Sequence, residues 1–368
     1  MVKKKSNSLG KEEALKIAIK NINNTIGVGS VMFGEGNIPQ IQKLTSGCYS
    51  LDAALGGGWA IGRIVEIYGP ESSGKTTLAL HAIAEVQKNK GFAAFIDMEH
   101  AFDPTYAEAI GINIENLIFS QPNNGEEALK VASELIKTGS LDIVVIDSVA
   151  ALTPKAEVDG DIGDSHVGRQ SRLMSQAMRI LTPIAHDNGT TVIFINQLRM
   201  KIGIMFGNPE TTSGGESLKY YASQRVDVRR IEKLKDGTGK DSEFIGNVTR
   251  ARVVKNKVAA PFKDAQFTIE YGVGINKYAD IVDSASMKGI IKKAGAWFSY
   301  NNENIGQGKN KTIAYLEENP ELYEEIVQKL QGTYVFPKIP ELKDNKEEKG
   351  KQNELIRNIN LSSIKSTV

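Results

Sequence analysis

The run Gly69-Pro70-Glu71-Ser72-Ser73-Gly74-Lys75-Thr76-Thr77 matches the spacing G-x-x-x-x-G-K-[ST]. Glycines in such a turn let backbone N–H groups converge on phosphate oxygens, and a following helix N-terminus adds its positive end. In that frame Lys75 reaches the β- and γ-phosphates of a nucleoside triphosphate, and the Thr76 hydroxyl ligates Mg²⁺. The chemistry is binding of ATP or GTP. A chance glycine turn is the competing reading, but the motif follows the β-branched run Arg63–Tyr68 and opens a helical stretch at Lys75, the context it requires.

Two further apolar runs end in carboxylates. Leu141-Asp142-Ile143-Val144-Val145-Ile146-Asp147 brings Asp147 to the carboxyl edge of a sheet, where it can hold the Mg²⁺ shell. Phe92-Ala93-Ala94-Phe95-Ile96-Asp97 delivers Met98-Glu99-His100 to the same edge. Hydrolysis needs a group that orients or deprotonates water, and Glu99 is the best-placed carboxylate. Glu71 inside the phosphate loop competes for that task, and in a third reading Glu99 only caps the next helix. Asp103-Pro104-Thr105-Tyr106 then offers a ring able to stack on a base.

A fourth run, Thr191–Asn196, ends at Gln197 and leads into 198–215 (LRMKIGIMFGNPETTSGG). Long irregular segments inside compact domains are usually functional. This one mixes Arg199 and Lys201 with Met200, Met205 and Phe206, a combination suited to single-stranded nucleic acid; a disordered excursion is the alternative. An amide at Gln197 can bond a γ-phosphate and pass its presence to the loop as an order–disorder switch. An acidic loop, 157–166, precedes a helix bearing Arg169, Arg172 and Arg179, so phosphate contacts there fall to the arginines. Lys255 and Lys257, two apart on a strand, point to one face. They are a solvated edge in a monomer, or reach a phosphate bound by the next subunit in an oligomer.

These residues need a scaffold. Strands are predicted at Ile64–Tyr68, Ala93–Asp97, Ile143–Asp147, Thr191–Asn196, Val226–Ile231, Val248–Lys255 and Phe267–Tyr271. Helical stretches between the first four are long enough for right-handed crossovers, the pattern of a parallel sheet covered on both faces. The last three, joined by short polar turns such as 236–239, are predicted antiparallel. At residues 11–26, Leu15, Ile19, Ile22 and Ile26 form a narrow apolar seam on a polar helix, which docks either on its own domain or on a neighbour. The expected organisation is an N-terminal helix and linker (1–36), a core (37–275), a small α+β unit (276–335) with helices near 278–293 and 321–330, and a flexible tail (336–368).

Composition narrows the class. The 368 residues are 40% hydrophobic and 24% charged, with a formal net charge of +1. A single cysteine, Cys48, excludes an internal disulfide, and four scattered histidines make no zinc spacing. No apolar run approaches the ~18 residues of a membrane span. The expectation is a soluble cytoplasmic protein without a membrane partner. The near-zero charge hides two blocks: residues 71–164 carry six basic and 16 acidic side chains, whereas 165–257 carry 16 basic and eight acidic. The first holds the nucleotide carboxylates and the second the proposed nucleic-acid loops.

Long runs carry a resemblance. GPESSGKTT at 69–77, VIDSVAALTPKAE at 145–157, INQLRMKIGIMFGNPETT at 195–212, KNKVAAPFK at 255–263 and GINKYADIVD at 274–283 resemble the bacterial RecA recombinase family over residues 10–335. The first run is shared with phosphate-loop proteins generally; the third and fourth separate recombinases from other ATPases of that core. The resemblance implies an α/β RecA-type ATPase core with a mostly parallel central sheet, an N-terminal helix arm and a small α+β C-terminal domain. It implies ATP and Mg²⁺ as cofactors, and helical self-assembly on single-stranded DNA. That assembly pairs with homologous double-stranded DNA, exchanges strands and promotes self-cleavage of a LexA-like repressor in the response to DNA damage. Glu99 would be the hydrolytic carboxylate, Gln197 the γ-phosphate sensor, Lys255 and Lys257 groups acting across the interface, and Asp103 and Tyr106 adenine contacts. Arg172, Ser175, Arg179, Met200, Lys201, Ile202, Gly214 and Gly215 would touch DNA, and helix 11–24 would pack on the adjacent subunit.

Two features depart from the family pattern. Glu216-Ser217 stands where Asn-Ala is common, and residues 331–368 hold seven basic and five acidic residues instead of an acidic tail. The rival reading is a hexameric ring helicase or translocase on the same core, which the seam helix and the Gln197 loop disfavour. A small-molecule kinase lacks its arginine-rich lid, and a purely structural ATP-gated scaffold would not need Glu99 chemistry.

Overall fold

Five consecutive residues of one strand, Ile143–Asp147, are all buried, the mark of a parallel strand covered on both faces. The side chains divide by parity. Ile143 and Val145 join Val65, Ile67, Phe95 and Ile193 in one apolar layer, and Val144 and Ile146 join Ile64, Ile96, Val192 and Phe194 in the other. The computed structural model describes residues 6–27, 29–34, 40–161, 168–200, 207, 209–237 and 242–332. The expected tail, 336–368, and residues 238 and 239 of the 236–239 turn lie outside them.

In chain order the strands are β1 (Lys43–Leu44), β2 (Trp59–Ala60), β3 (Ile64–Gly69), β4 (Ala93–Asp97), β5 (Leu117–Ser120), β6 (Ile143–Asp147), β7 (Thr191–Met200), β8 (Glu210–Thr212), β9 (Gln224–Lys235), β10 (Phe244–Asn256), β11 (Asp264–Glu270), β12 (Gly274–Ile275), β13 (Lys292–Ala294), β14 (Trp297–Tyr300) and β15 (Glu303–Gln307). The α-helices are α1 (Ser6–Ile26), α2 (Tyr49–Leu55), α3 (Lys75–Lys88), α4 (Pro104–Ile110), α5 (Gly125–Lys137), α6 (Lys155–Val158), α7 (Arg169–Asn188), α8 (Ser217–Tyr221), α9 (Lys277–Met287), α10 (Lys309–Glu318) and α11 (Pro320–Gly332).

The central sheet runs β12-β11-β10-β9-β3-β7-β6-β4-β5, with β8 paired to β7. Strands β9, β3, β7, β6, β4 and β5 are parallel, and β9 through β12 are antiparallel. Sequence order reverses beside β3, because β4 lies three positions away, past β7 and β6. Such switch points open a crevice at the carboxyl ends of the strands. Register aligns Gly69 with Gln197 and Asp97 with Asp147, so the chemistry-bearing residues emerge at one level.

The C-terminal lobe builds its own core from Val282, Phe298, Leu316 and Leu330 among others. Tyr49 Oη donates to Leu330 O at 2.9 Å, and Lys277 pairs with Glu85 at 2.6 Å, which fasten this lobe to the core that carries the central sheet. Backbone contacts divide the chain after Ile41, so α1 with the turn behind it is a separate unit. Asn23 clasps Val31 through two 2.9 Å hydrogen bonds, which shapes that turn. Leu15, Ile22 and Ile26 of the predicted seam are exposed.

Several elements depart from the periodicity reading. The predicted strands 226–231 and 248–255 are halves of a longer ribbon, because charged side chains at Arg229, Arg230, Lys233 and Lys235 mask the pattern. Segment 198–215 was expected to be irregular throughout; instead its ends pair as an antiparallel ribbon, Leu198 with Thr212 and Met200 with Glu210. β-Branched Thr211 and Thr212 favour that pairing, while Gly207, Asn208 and Pro209 dominate the composition. β5, β8, β13–β15 and α10 were not anticipated as such.

Candidate nucleotide and nucleic-acid site

Gly69 ends β3 where no other residue fits: a Cβ there would lie 2.0 Å from Val228 O. The loop then turns through Ser72 at φ 55° and Gly74 at φ 95°, and α3 starts at Lys75. Ser73 Oγ is buried and has no hydrogen-bond partner among the described residues. Lys75 Nζ folds back onto Pro70 O at 2.7 Å. Burial pushes the Lys75 ammonium below its ordinary value, against the pull of Asp147, Glu99 and Glu71. A partially desolvated cation and an orphaned hydroxyl around a left-handed turn fit a phosphate chain.

Thr76 Oγ1 donates to Asp147 Oδ2 at 2.7 Å, which joins the phosphate loop to the end of β6. Burial raises the Asp147 carboxyl to about 6, opposed by the Thr76 hydrogen bond. Two hard oxygens side by side are the donor set Mg²⁺ takes beside a phosphate.

Glu99 follows β4. Its Oε1 accepts from Gln197 Nε2 at 2.9 Å and from the hydroxyl of Ser148, the residue after Asp147. Asp97 holds the turn that carries Glu99, accepting from Glu99 N at 3.1 Å, Phe102 N at 3.1 Å and Gln121 Nε2 at 3.0 Å. The helix-cap reading of Glu99 is overturned: α4 is capped by Asp103, which accepts from Thr105 N and Tyr106 N. Glu71, the competing carboxylate, is exposed. The Tyr106 phenol meets Thr77 Oγ1 at 2.9 Å, so its ring is tied to α3 beside the phosphate loop.

Gln197 N donates to Asn196 Oδ1 at 2.9 Å, and Asn196 Nδ2 donates to Glu66 Oε1 at 2.9 Å and Ser213 O at 3.0 Å. Asn196 therefore ties Gln197, at the root of the 198–215 segment, to Ser213 near its far end. Arg199 and Met200 are exposed at the end of β7. Lys201, Ile202 and Phe206 lie outside the described residues. Gly214 and Gly215, both at positive φ, pack against the turn after β6 and against α7: a Cβ would meet Val149 Cγ1 and Ser171 Oγ, respectively, each at 2.7 Å. Ser175 Oγ sits 2.5 Å from Ser217 Oγ, while Arg172 and Arg179 are exposed on α7 beside it. Glu216, the departure noted in the sequence, pairs with Lys219 at 2.7 Å, and Lys219 also reaches Thr211 Oγ1 at 3.0 Å.

Lys255 and Lys257 converge on the C-terminus of α8. Lys255 Nζ donates to Lys219 O at 2.6 Å and Tyr220 O at 2.9 Å, and Lys257 Nζ to Tyr220 O at 3.2 Å. Burial, with Lys257 and Arg225 nearby, lowers Lys255 to about 8. Sequence reasoning missed Ser148, Asn196 and a groove lined by Tyr68, Lys219, Arg225, Arg229, Arg250 and Arg252. The even spacing of the arginines, four residues on β9 (Arg225, Arg229) and two on β10 (Arg250, Arg252), was the available signal for the groove, since it puts each pair on one face.

A phosphate loop at the switch point, a strand-end carboxylate bonded to the loop threonine, and a second carboxylate with an amide across the mouth define a P-loop ATPase. Family models match along the chain: the RecA N-terminal domain over residues 13–276 and the RecA C-terminal domain over 279–334. Curated relatives agree. The protein RecA of Oceanobacillus iheyensis is 53% identical over 347 residues, 94% of this chain and 98% of that protein. The protein RecA of Corynebacterium efficiens is 57% identical over 322 residues, covering 87% and 82%. That of Lactobacillus johnsonii is 56% identical over 326, covering 88% and 89%. The chain belongs to the RecA family. As a member it is a DNA-dependent ATPase of homologous recombination, DNA repair and the SOS response that uses ATP with Mg²⁺, binds DNA and self-assembles. No described helix is long and apolar enough to cross a membrane.

Proposed function

We propose that the chain forms an ATP-switched helical filament on single-stranded DNA, pairs it with homologous duplex and exchanges strands in the cytoplasm. The observation that carries this reading is the Gln197–Glu99 hydrogen bond between the strand that feeds the DNA segment and the strand that feeds hydrolysis. When bound, Mg²⁺-ATP supplies the phosphoanhydride and the charge-neutralising cation. Gly69 through Thr77 cradle the phosphates, Lys75 offers its ammonium to them, and Thr76 with Asp147 holds the cation. Glu99 orients the attacking water: both it and Glu71 are exposed, but Glu99 is tied by Gln197 and Ser148, whereas the Glu71 carboxylate makes no hydrogen bond among the described residues. Tyr106 and Asp103 border the adenine, Tyr106 through its ring and Asp103 by capping the helix that presents it.

Gln197 exchanges Glu99 for a γ-phosphate oxygen and so transmits nucleotide state to the 198–215 segment. Arg172, Ser175, Arg179, Arg199, Met200, Gly214 and Gly215 line the DNA path, with Lys201, Ile202 and Phe206 in its undescribed part. Residues 1–36 act as the oligomerisation arm: the exposed seam of Leu15, Ile22 and Ile26 gains a partner on the next subunit, where Lys255 and Lys257 also reach the neighbour's phosphates. Residues 37–275 form the motor and 276–335 the accessory lobe. The assembled filament promotes self-cleavage of a LexA-like repressor.

Electron microscopy with single-stranded DNA and a non-hydrolysable ATP analogue tests the reading. Open helical filaments are expected. Closed hexameric rings would replace it with a translocase.

A further inference from the structure

Glu99 is exposed and extends from a turn, so something must hold its carboxylate while water attacks the γ-phosphate. Two donors reach it, and both end on the same oxygen, Oε1: the Gln197 amide and the Ser148 hydroxyl. They differ in how they are anchored. Gln197 is partly exposed and stands at the root of the DNA segment. Ser148 is wholly buried at the end of β6, on the neighbour of the Thr76-bonded Asp147. Once the amide turns to a γ-phosphate oxygen, Ser148 is the remaining tie on Glu99 among the described residues, and neither tie occupies Oε2.

We propose that Ser148 is a positioning residue for ATP hydrolysis: its hydroxyl pins Glu99 Oε1 so that Oε2 faces the attacking water after Gln197 has moved away. This rests on Glu99 as the hydrolytic carboxylate. A strand-anchored donor suits the task because it does not move with the DNA segment. A displacement of about 1 Å at a reacting group costs up to roughly a hundredfold in rate.

The test is a double-mutant cycle on the full chain with saturating single-stranded DNA. Four proteins are compared: wild type, Ser148→Ala, Glu99→Ala and the pair. kcat and KM for ATP are measured separately, and fold is checked by thermal unfolding. Ser148→Ala is expected to lower kcat on the order of tenfold to a hundredfold with KM unchanged, and to add nothing in the Glu99→Ala background. Ser148→Cys, which keeps the volume with a weak donor, covers a folding failure of the alanine variant and should also turn over slowly. Wild-type kcat in Ser148→Ala or Ser148→Cys overturns the proposal. So does a rise in KM alone, or an equal loss in both backgrounds, since either marks Ser148 as structural. Wild-type turnover in Glu99→Ala instead removes the underlying assignment, and is read from that variant alone.

Discussion

Gln197 Nε2 lies 2.9 Å from Glu99 Oε1, joining two side chains 98 residues apart across the mouth of the phosphate loop. Their strands are not neighbours: β6 lies between β4 and β7. On the reading proposed above, a γ-phosphate competes with Glu99 for this one amide, so that hydrolysis and the order of the 198–215 segment share a switch. Gln197→Ala should bind ATP within a few fold of wild type yet lose the rise in DNA affinity that a non-hydrolysable analogue brings. Fluorescence anisotropy with a labelled oligonucleotide reads this directly; an intact rise would remove Gln197 from the switch. Glu99→Ala should still assemble but turn over at least about 10²-fold more slowly, the usual worth of a positioned acid–base group.

Lys75 is partly desolvated and held by Pro70 O in the protein alone, so its ammonium is set to exchange one carbonyl for phosphate oxygens. Charge-assisted hydrogen bonds contribute about 1.5–3 kcal/mol each, so Lys75→Ala should weaken nucleotide binding by roughly tenfold to a hundredfold and abolish ATP-dependent assembly. Titration with a fluorescent nucleotide checks the first part and light scattering the second. Unchanged affinity would refute the assignment.

What could be read from residues alone follows a physical divide. Strands β4 and β6 were legible to the residue because uninterrupted burial produces uninterrupted apolar runs, bounded by Asp97 and Asp147. The phosphate loop was legible because its glycines have no substitute: Gly69 faces Val228 O and Gly74 faces Ile269 Cδ1. Ser148 was not, since its importance comes from a contact with Glu99, 49 residues earlier in the chain. The β7–β8 ribbon was hidden because pairing of Leu198 with Thr212 is a long-range fact, whereas Gly207 and Pro209 are local ones.

Bulk neutrality conceals the salt behaviour expected of the DNA face. Arg172 and Arg179 sit seven residues apart on α7, two turns along one exposed face. Arg172→Gln and Arg179→Gln should each flatten the slope of log affinity against log salt by about 0.7 on single strands, the increment for one phosphate contact. An unchanged slope in either variant would take that arginine off the DNA path.

Glu66 is fully buried and held by Arg225 Nε at 2.5 Å and by Asn196 Nδ2 at 2.9 Å. Removing one partner of a buried pair leaves an uncompensated charge, at a cost of about 3–5 kcal/mol. Arg225→Ala should lower the unfolding midpoint accordingly, and Glu66→Gln with Arg225→Ala should recover part of the loss. A denaturation midpoint unmoved in Arg225→Ala would mean that Glu66 is solvated through another route.

Lys255 offers a pH test of action between subunits. Burial, Lys257 and Arg225 depress its ammonium to about 8, while Glu66 pulls the other way. In the lone protomer it loses its proton as the pH rises through about 8. A phosphate bound by the next subunit favours the charged form, so assembly raises the pKa toward or beyond the usual ~10.4. Between these limits each assembly step must take up a proton, and ATP-dependent assembly weakens as pH climbs above about 8. Below about 7 the lysine is already charged in both states and assembly is insensitive to it. Isothermal calorimetry at pH 9 in buffers of different ionisation enthalpy should show that uptake, which disappears in Lys255→Arg because a guanidinium stays protonated throughout. Equal proton uptake in the arginine variant would place the titrating group elsewhere and leave Lys255 as a cap on α8.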